Sequence, residues 1–213
     1  MKTDDWVVVL ATGAGSAQRH AVARRYGAAV GAGVIAAALL MLGLLGVRPD
    51  LAEASRLPMF WAKIAYVAAL GAASLLAVSR LSRPGARLGK VPAMLAVPVV
   101  AMWVVAAGVL AGAAPELRAG LVLGSTWAKC SSLIAMLSVP AFVASLWAMR
   151  GLAPTRLPLA GAVAGLLSGT VGALVYSLHC PEMAAPFIGS WYLLGMLIPA
   201  AAGAWLGPRV LRW

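Results

Sequence analysis

Residues Ala93 to Ala114 have the sequence AMLAVPVVAMWVVAAGVLAGAA and contain no charged side chain. A helix needs about 20 consecutive apolar residues to cross the hydrocarbon layer of a bilayer. A lone strand could not satisfy its backbone hydrogen bonds in lipid, so such a run must be helical. The segment therefore predicts a transmembrane helix, and it sets the pattern for the rest of the chain.

Five further segments have a similar length and apolar character, and they flank this one on both sides. They are Tyr26 to Val47, Leu57 to Ser79, Ser131 to Met149, Leu159 to Leu178 and Ile188 to Leu206. The whole chain is 62% hydrophobic and 11% charged, with a mean hydropathy of +0.92. These values exclude a soluble globular class. The predicted fold is an all-α integral membrane protein with six transmembrane helices.

The charges predict an orientation for the six helices. With the N-terminus inside, twelve basic residues fall on the cytoplasmic side and four fall on the outer side. The cytoplasmic set is Lys2, Arg19, Arg24, Arg25, Arg80, Arg83, Arg87, Lys90, Arg150, Arg156, Arg209 and Arg212. Since cytoplasmic loops accumulate Lys and Arg, both termini are predicted to be cytoplasmic, in the inner membrane of a bacterium. The net charge of +11 then needs no nucleic-acid partner.

This orientation divides the chain into three parts. Residues 1–25 are predicted to be a cytoplasmic segment with a short amphipathic helix, residues 26–206 a six-helix bundle, and residues 207–213 a cytoplasmic tail. Thr3 is a suitable N-cap, and Asp4 and Asp5 suit the positive end of a helix dipole. Trp6 and Leu10 are four residues apart and would share one face. That face could lie on the inner leaflet or bind a groove on a soluble partner.

The two cysteines are both predicted to lie on the outer side. Cys130 precedes the fourth helix, and Cys180 belongs to the polar stretch His179-Cys180-Pro181-Glu182 after the fifth. In an oxidising periplasm they predict either a structural disulfide or a reducible thiol pair with a sensing role. A third alternative is a soft-metal site, in which Cys130, Cys180 and His179 would bind a thiophilic ion.

Lys63 is the one charge well inside an apolar segment. The default interpretation is a lysine that extends to the outer interface, where its ammonium group meets water. The alternative is an inward-facing lysine that pairs with Glu116, Glu182 or a cysteine thiolate and lowers the pKa of that thiol. Nearby aromatic residues are expected to anchor the helix ends at the interface; these are Trp61, Trp127, Trp191 and Tyr192.

Small residues and prolines mark the helix interiors. Gly161, Gly165 and Gly169 form one stripe and Gly27 with Gly31 another, and such stripes predict either close helix packing or a homodimer contact. Pro98, Pro140 and Pro199 are expected to kink their helices.

Few polar groups lie at mid-membrane, which disfavours a small transporter. No hydrolytic constellation is present, so an enzyme is not expected. Thiol–disulfide exchange is the only available redox chemistry, and a membrane thiol-redox protein is the alternative function.

Motifs along the whole chain resemble those of one family of bacterial membrane proteins. They are Met1-Lys2-Thr3-Asp4-Asp5, Arg48-Pro49-Asp50-Leu51, Phe60-Trp61-x-Lys63, Arg80-Leu81-Ser82-Arg83-Pro84-Gly85, Cys130 with its apolar helix, His179-Cys180-Pro181-Glu182, Trp191-Tyr192-x-Leu194-Gly195, and Gly207-Pro208-Arg209-Val210-Leu211-Arg212-Trp213. Together they resemble the NrsF family, negative regulators of sigma F, which are six-span anti-sigma factors.

The resemblance implies a function for each end of the bundle. Cytoplasmic segments would hold an extracytoplasmic-function sigma factor at the membrane, with Thr3, Asp4, Asp5, Trp6 and Leu10 as the sigma-binding edge. A periplasmic oxidant or heavy metal would act on the two cysteines as sensors, without a resident cofactor. The residues expected to tune the cysteines are His179, Glu182 and Lys63. Since no soluble domain is available as a relay, the signal would act by shifting helix packing.

Overall fold

The structure, a computed structural model, describes residues 21–83, 85, 87–150, 152 and 154–212, and within these ranges it is helical without strands. The helices are α1 Ala21–Leu44, α2 Leu51–Ala54, α3 Pro58–Leu81, α4 Val91–Gly112, α5 Pro115–Leu123, α6 Trp127–Arg150, α7 Leu157–Tyr176, α8 Ala185–Phe187 and α9 Leu193–Val210, with a π-helical turn at Ile188–Tyr192 before α9. Six helical segments of the described chain are long and apolar enough to cross a membrane. The predicted all-α architecture is confirmed to that extent.

The helix boundaries differ from the predicted segments by a few residues, mainly where proline or glycine sets a terminus. Pro58 and Pro115 occupy first helical positions, where the missing N–H costs no hydrogen bond. The apolar stretch Leu121 to Lys129 is divided between two helices: α5 ends at Leu123, a turn follows, and α6 begins at Trp127. Gly124 makes that turn with φ of 59°, a conformation that glycine adopts without strain.

Helix α7 occupies the centre of the bundle and contacts α1, α3, α6 and α9. Its closest neighbour is α9, because the stripe Gly161, Gly165 and Gly169 presents no side chain to it. A Cβ on Gly169 would lie 2.8 Å from the Cα of Met196, and one on Gly165 would collide with the carbonyl oxygen of Pro199. This stripe therefore packs within the chain, and the homodimer alternative is wrong for it.

The second small-residue stripe does not pack within the described chain. Gly27 and Gly31 have open space where a Cβ would lie, whereas Gly33 packs against Ala141 of α6. The packing prediction for Gly27 and Gly31 was wrong in detail, because the contact face of α1 is rotated toward Gly33. A homodimer through the open face stays a prediction.

The two glycine stripes make a matched pair of stability tests. Gly165→Leu should lower the free energy of unfolding by about 1–3 kcal/mol, because the added side chain forces α7 and α9 apart. Gly27→Leu adds the same side chain to an open face and should change stability by less than about 0.5 kcal/mol. The unfolding midpoint of the detergent-solubilised protein measures both. Equal loss in the two variants would show that the α7–α9 contact does not determine the effect.

The loops gather at two opposite ends of the bundle. We call one the cysteine end, formed by residues 45–57, 113–126 and 177–184, and the other the arginine end, formed by residues 82, 83, 85, 87–90, 152, 154–156 and 211–212. At the arginine end the hydroxyl groups of Tyr26 and Ser82 are hydrogen-bonded at 3.2 Å, and Arg80 donates to the carbonyl of Leu88.

The helices continue through Pro98, Pro140 and Pro199. The predicted sigma-binding residues Thr3, Asp4, Asp5, Trp6 and Leu10 lie outside the described residues.

Candidate functional site: a thiol pair beneath the 177–184 loop

The loop 177–184 connects α7 to α8 and folds back over the end of α7. The backbone N–H groups of His179 and Cys180 both donate to the carbonyl of Tyr176, each at 2.9 Å. This tight turn directs Cys180 into the bundle, where the residue is 0% exposed. The proline that follows cannot continue a helix, so the chain leaves in an extended path toward α8. The loop thus buries Cys180, whereas His179 and Glu182 are half-buried and Pro181 is exposed.

Cys130 lies on the first turn of α6 and meets Cys180 inside the protein. Its backbone N–H donates to the carbonyl of Thr126 at 2.9 Å, and its side chain is 0% exposed. Both cysteines are free thiols in this structure, and their side chains interact directly. The two residues that the sequence could only suggest as a pair are therefore brought together. Their role as sensors stays a prediction.

Lys63 lies directly beneath the loop and is 0% exposed. Its Nζ donates to the carbonyl oxygens of Cys180 and Glu182, each at 3.2 Å. The default expectation of a lysine that reaches water was wrong, because the loop closes over the ammonium group. The expected pairing with a carboxylate is not formed either: Lys63 has no ion-pair partner among the described residues. Backbone carbonyls and the nearby thiols surround the charge instead.

Arg48, which follows α1, also binds the loop. Its Nη1 donates to the carbonyl of Cys180 at 3.2 Å, and its backbone N–H donates to the carbonyl of Leu178 at 3.1 Å. Nε and Nη2 form a bidentate pair with Asp50 at 2.7 and 2.6 Å. This pairing lowers the pKa of the Asp50 carboxyl below its usual value. The carbonyl of Cys180 is therefore shared by two cations, one from the chain after α1 and one from α3.

Two other residues of the 177–184 loop, His179 and Glu182, attach the loop to further parts of the chain. His179 Nδ1 donates to the carbonyl of Gly46 at 2.9 Å. Glu182 Oε1 accepts hydrogen bonds from the backbone N–H and the hydroxyl of Ser125, each at 2.7 Å. Both side chains thus hold the loop in place and do not contact the thiols by these bonds. The described residues contain no group of three His, Cys, Asp or Glu side chains that could hold a metal ion, so the three-ligand site with His179 is not assembled.

Two tyrosines complete the site, and the sequence interpretation assigned neither to it. Tyr176 and Tyr192 lie with ring centroids 5.9 Å apart, and Lys63 Nζ is 5.7 Å from the Tyr192 ring centroid. Tyr192 was predicted to be an interfacial anchor, which was wrong because it is 0% exposed. Its hydroxyl lies near Ser177 and Cys180 without a hydrogen bond of normal geometry. Trp61 and Trp127, in contrast, are exposed at helix ends as an aromatic belt requires.

The π-helical turn explains how Tyr192 reaches the thiols. Ile188–Tyr192 inserts one extra residue per turn before α9, and such turns occur frequently at functional sites. Ser131 and Trp191 tie this turn to α6 through a hydrogen bond of 2.9 Å from the serine hydroxyl to the tryptophan carbonyl. Tyr176 precedes Cys180 by four residues, and one helical turn places such residues together. This spacing was the signal in the sequence that could have assigned Tyr176 to the site.

The surroundings of Cys180 favour its ionised form. Side-chain hydrogen bonding with Cys130, the backbone N–H of Glu182 and the positive charge of Lys63 together lower the pKa of the Cys180 thiol, against the opposing effect of burial. An acidic thiol in contact with a second thiol can be oxidised to a disulfide or can bind a soft metal ion. The geometry supports redox or metal-responsive chemistry at the cysteine end.

Comparisons with known proteins agree along the full chain. The family model described as "Negative regulator of sigma F", NrsF, matches residues 10–213. The chain is 57% identical over 213 residues to the "Probable anti-sigma-F factor NrsF" of Azospira oryzae, and the alignment covers all of both chains. It is 44% identical over 215 aligned positions to the "Anti-sigma-F factor NrsF" of Caulobacter vibrioides, again over the whole of both chains. No solved structure matches the chain. The chain belongs to the NrsF family of negative regulators of sigma F.

Proposed function

We propose that this protein is a membrane-bound anti-sigma factor that holds an extracytoplasmic-function sigma factor away from RNA polymerase. Membership of the NrsF family and the names of two full-length relatives support this function. The six long apolar helices support insertion in the bacterial inner membrane, with the lipid bilayer as the surrounding partner. Binding to the sigma factor, and not to nucleic acid, accounts for the regulatory role.

The charge distribution supports an orientation for this membrane protein. Basic residues cluster at the arginine end of the bundle, which we assign to the cytoplasm by the positive-inside rule. Both termini then lie in the cytoplasm, and Cys130 and Cys180 face the periplasmic side. The sigma factor would bind the cytoplasmic segment that contains Thr3, Asp4 and Asp5. Trp6 and Leu10 would supply the apolar face of that contact.

One observation supports a link between the thiols and the sigma factor more than any other. The carbonyl of Cys180 accepts hydrogen bonds from both Arg48 and Lys63, which belong to the chain after α1 and to α3. A covalent or ligand change at Cys180 must therefore alter the support of two long helices. Helix α1 follows, in the sequence, the N-terminal segment that is predicted to bind sigma. The periplasmic signal would be an oxidant that joins the thiols, or a thiophilic metal ion that bridges them.

Deletion of the N-terminal segment tests the anti-sigma function. The full chain, purified with the sigma factors of its own organism, should retain one of them, and a chain lacking residues 1–12 should retain none. Trp6→Ala with Leu10→Ala should weaken retention by about 2 kcal/mol or more, the effect expected of paired anchor residues. Val8→Ala, on the opposite face of the predicted helix, is the matched control. Retention of sigma by the truncated chain would overturn the assignment of the binding segment.

The alternative function, a membrane thiol-redox protein, predicts a different observable. It would turn over an external disulfide substrate through the same thiols. Both thiols are completely buried beneath the loop, which disfavours contact with a protein-sized disulfide. Repeated reduction of an added small disulfide by catalytic amounts of this protein, with an excess dithiol as the reductant, would support the enzyme, whereas a single stoichiometric exchange agrees with a regulator.

A further inference from the structure

The two thiols of the site occupy different environments. Cys180 belongs to a loop and has the buried ammonium group of Lys63 on its own carbonyl oxygen, at 3.2 Å. Its thiol also lies near the backbone N–H of Glu182. Cys130 belongs to the first turn of α6, and its backbone N–H donates to the carbonyl of Thr126. The donors that can stabilise a sulfur anion are therefore concentrated around Cys180.

Lys63 has no carboxylate that would neutralise it among the described residues. The one ion pair found there joins Arg48 to Asp50, and Glu182 directs its carboxylate to Ser125. A buried ammonium group whose hydrogen bonds go to neutral carbonyls favours a negative charge nearby, since a charge in a poorly solvated site is stabilised by an opposite one. The Cys180 thiol can ionise to supply that charge, and the ammonium group of Lys63 already binds the carbonyl oxygen of the same residue at 3.2 Å.

The thiols are closed off from the protein surface. Cys130, Cys180, Tyr176 and Tyr192 are all buried, and the first two are 0% exposed. An oxidant must therefore be small, and an uncharged one avoids the cost of leaving water. Among two-electron oxidants, hydrogen peroxide meets both conditions, whereas glutathione disulfide is large and charged.

We propose that Cys180 is the attacking thiolate of the pair, that Cys130 is the resolving thiol, and that the oxidant is a small hydroperoxide. This assignment deepens the proposed function and rests on it. The Cys180 thiolate attacks one peroxide oxygen, so an S–O bond forms, the O–O bond breaks, and the departing hydroxide takes a proton to become water. Cys130 sulfur then attacks the Cys180 sulfenic acid; an S–S bond forms, and the hydroxide leaves as water with the proton of Cys130. Two electrons pass from the thiols to one hydrogen peroxide, which yields two waters.

Single-cysteine variants in lipid nanodiscs separate the two roles. In reduced Cys130→Ser, hydrogen peroxide should convert Cys180 to a sulfenic acid at a rate close to that of the natural pair. In reduced Cys180→Ser, the oxidation of Cys130 should be slower by about tenfold or more. Acid-quenched samples, unfolded in the presence of a 1,3-diketone probe and analysed by mass spectrometry, give both rates. Faster oxidation of Cys130 than of Cys180 would overturn the assignment.

The natural protein supplies a second measurement that needs no folded variant. A brief pulse of a small alkylating reagent on the reduced protein should modify Cys180 before Cys130, as read by peptide mass spectrometry. Equal modification, or modification of Cys130 first, would contradict the proposal.

Lys63 acts in this scheme as a positioning residue. Lys63→Met should slow the oxidation of Cys180 by about tenfold, since it removes the positive charge that favours the thiolate. Lys63→Arg keeps the charge and should restore part of the rate, which a purely structural role of the lysine stem would not predict. Lys129→Met is the matched control, because Lys129 is exposed on the same end of the bundle. An unchanged rate in Lys63→Met would exclude the positioning role.

The size of the oxidant and the link to sigma are tested in the same nanodiscs. Hydrogen peroxide should oxidise the pair much faster than cumene hydroperoxide or glutathione disulfide, and comparable rates would contradict the small-oxidant assignment. If Cys180 reacts first but bound sigma factor is not released, the proposed signalling function fails and the thiol roles stand. If release requires both cysteines but Cys130 reacts first, only the thiol roles fail.

Discussion

Lys63→Glu is expected to lower the free energy of unfolding by about 3–5 kcal/mol, the magnitude typical of an uncompensated charge in a protein interior. Lys63 is 0% exposed, and its Nζ contacts two carbonyl oxygens at 3.2 Å. A carboxylate at this position would face those oxygens and the Cys180 thiol without any donor of its own. Even a protonated glutamic acid could satisfy only one of the two carbonyls.

Two comparison variants make this result specific. Lys63→Met removes the charge but leaves the carbonyl of Glu182 without its donor, so a smaller loss of about 1–3 kcal/mol is expected. Lys129→Glu makes the same charge change on an exposed side chain and should alter stability by less than about 0.5 kcal/mol. Unfolding by titration with a denaturing detergent measures all three variants. If Lys63→Glu is as stable as Lys129→Glu, the ammonium group of Lys63 reaches water and the loop does not cover it.

The combined variant Cys130→Ser with Cys180→Ser is expected to abolish the stress response in cells while leaving sigma retention intact. Serine matches the shape of cysteine but cannot form a disulfide or bind soft metals with comparable affinity. A reporter driven by the retained sigma factor should stay at its basal level when a periplasmic oxidant is added. The natural protein should give full induction under the same treatment.

The control for this variant lies on the same helix as Cys130. Ser132 is exposed on α6, and Ser132→Ala should preserve both basal repression and induction. High reporter activity in the double serine variant without any oxidant would show that the cysteines stabilise the sigma-binding state itself. Normal induction in that variant would remove the cysteines from signalling altogether.

The fold was largely predictable because its signal is local. Each long apolar run predicts its own helix from length and hydropathy, without knowledge of any other part of the chain. The stripe Gly161, Gly165 and Gly169 also predicted close packing, but the sequence could not name its partner. The partner is α9, where Gly203 and Pro199 bring the facing backbone near. Such pairings depend on how the helices are arranged, which periodicity alone does not specify.

The site was less predictable because its contacts join distant segments. Lys63 and Cys180 are 117 positions apart, and only the folded loop shows that one covers the other. The expectation that Lys63 reaches water follows from its depth on α3 alone. That depth gives no information about a loop that folds over the side chain. Tyr192 resembled an interfacial aromatic because it lies near a helix end, and the π-helical turn rotates it inward. The sequence around Arg48 did not predict that its guanidinium group shares the carbonyl of Cys180 with Lys63.

We propose that the oxidation state of the thiol pair controls retention of a sigma factor by this protein. The most direct measurement uses the full chain in nanodiscs with its co-purifying sigma factor carrying a fluorescent label. Addition of hydrogen peroxide should release the labelled sigma factor from the natural protein, and a reductant should restore binding. The double serine variant should keep the sigma factor bound throughout. Continued binding to the oxidised natural protein, or equal release from the double serine variant, would show that the thiol pair does not control sigma retention.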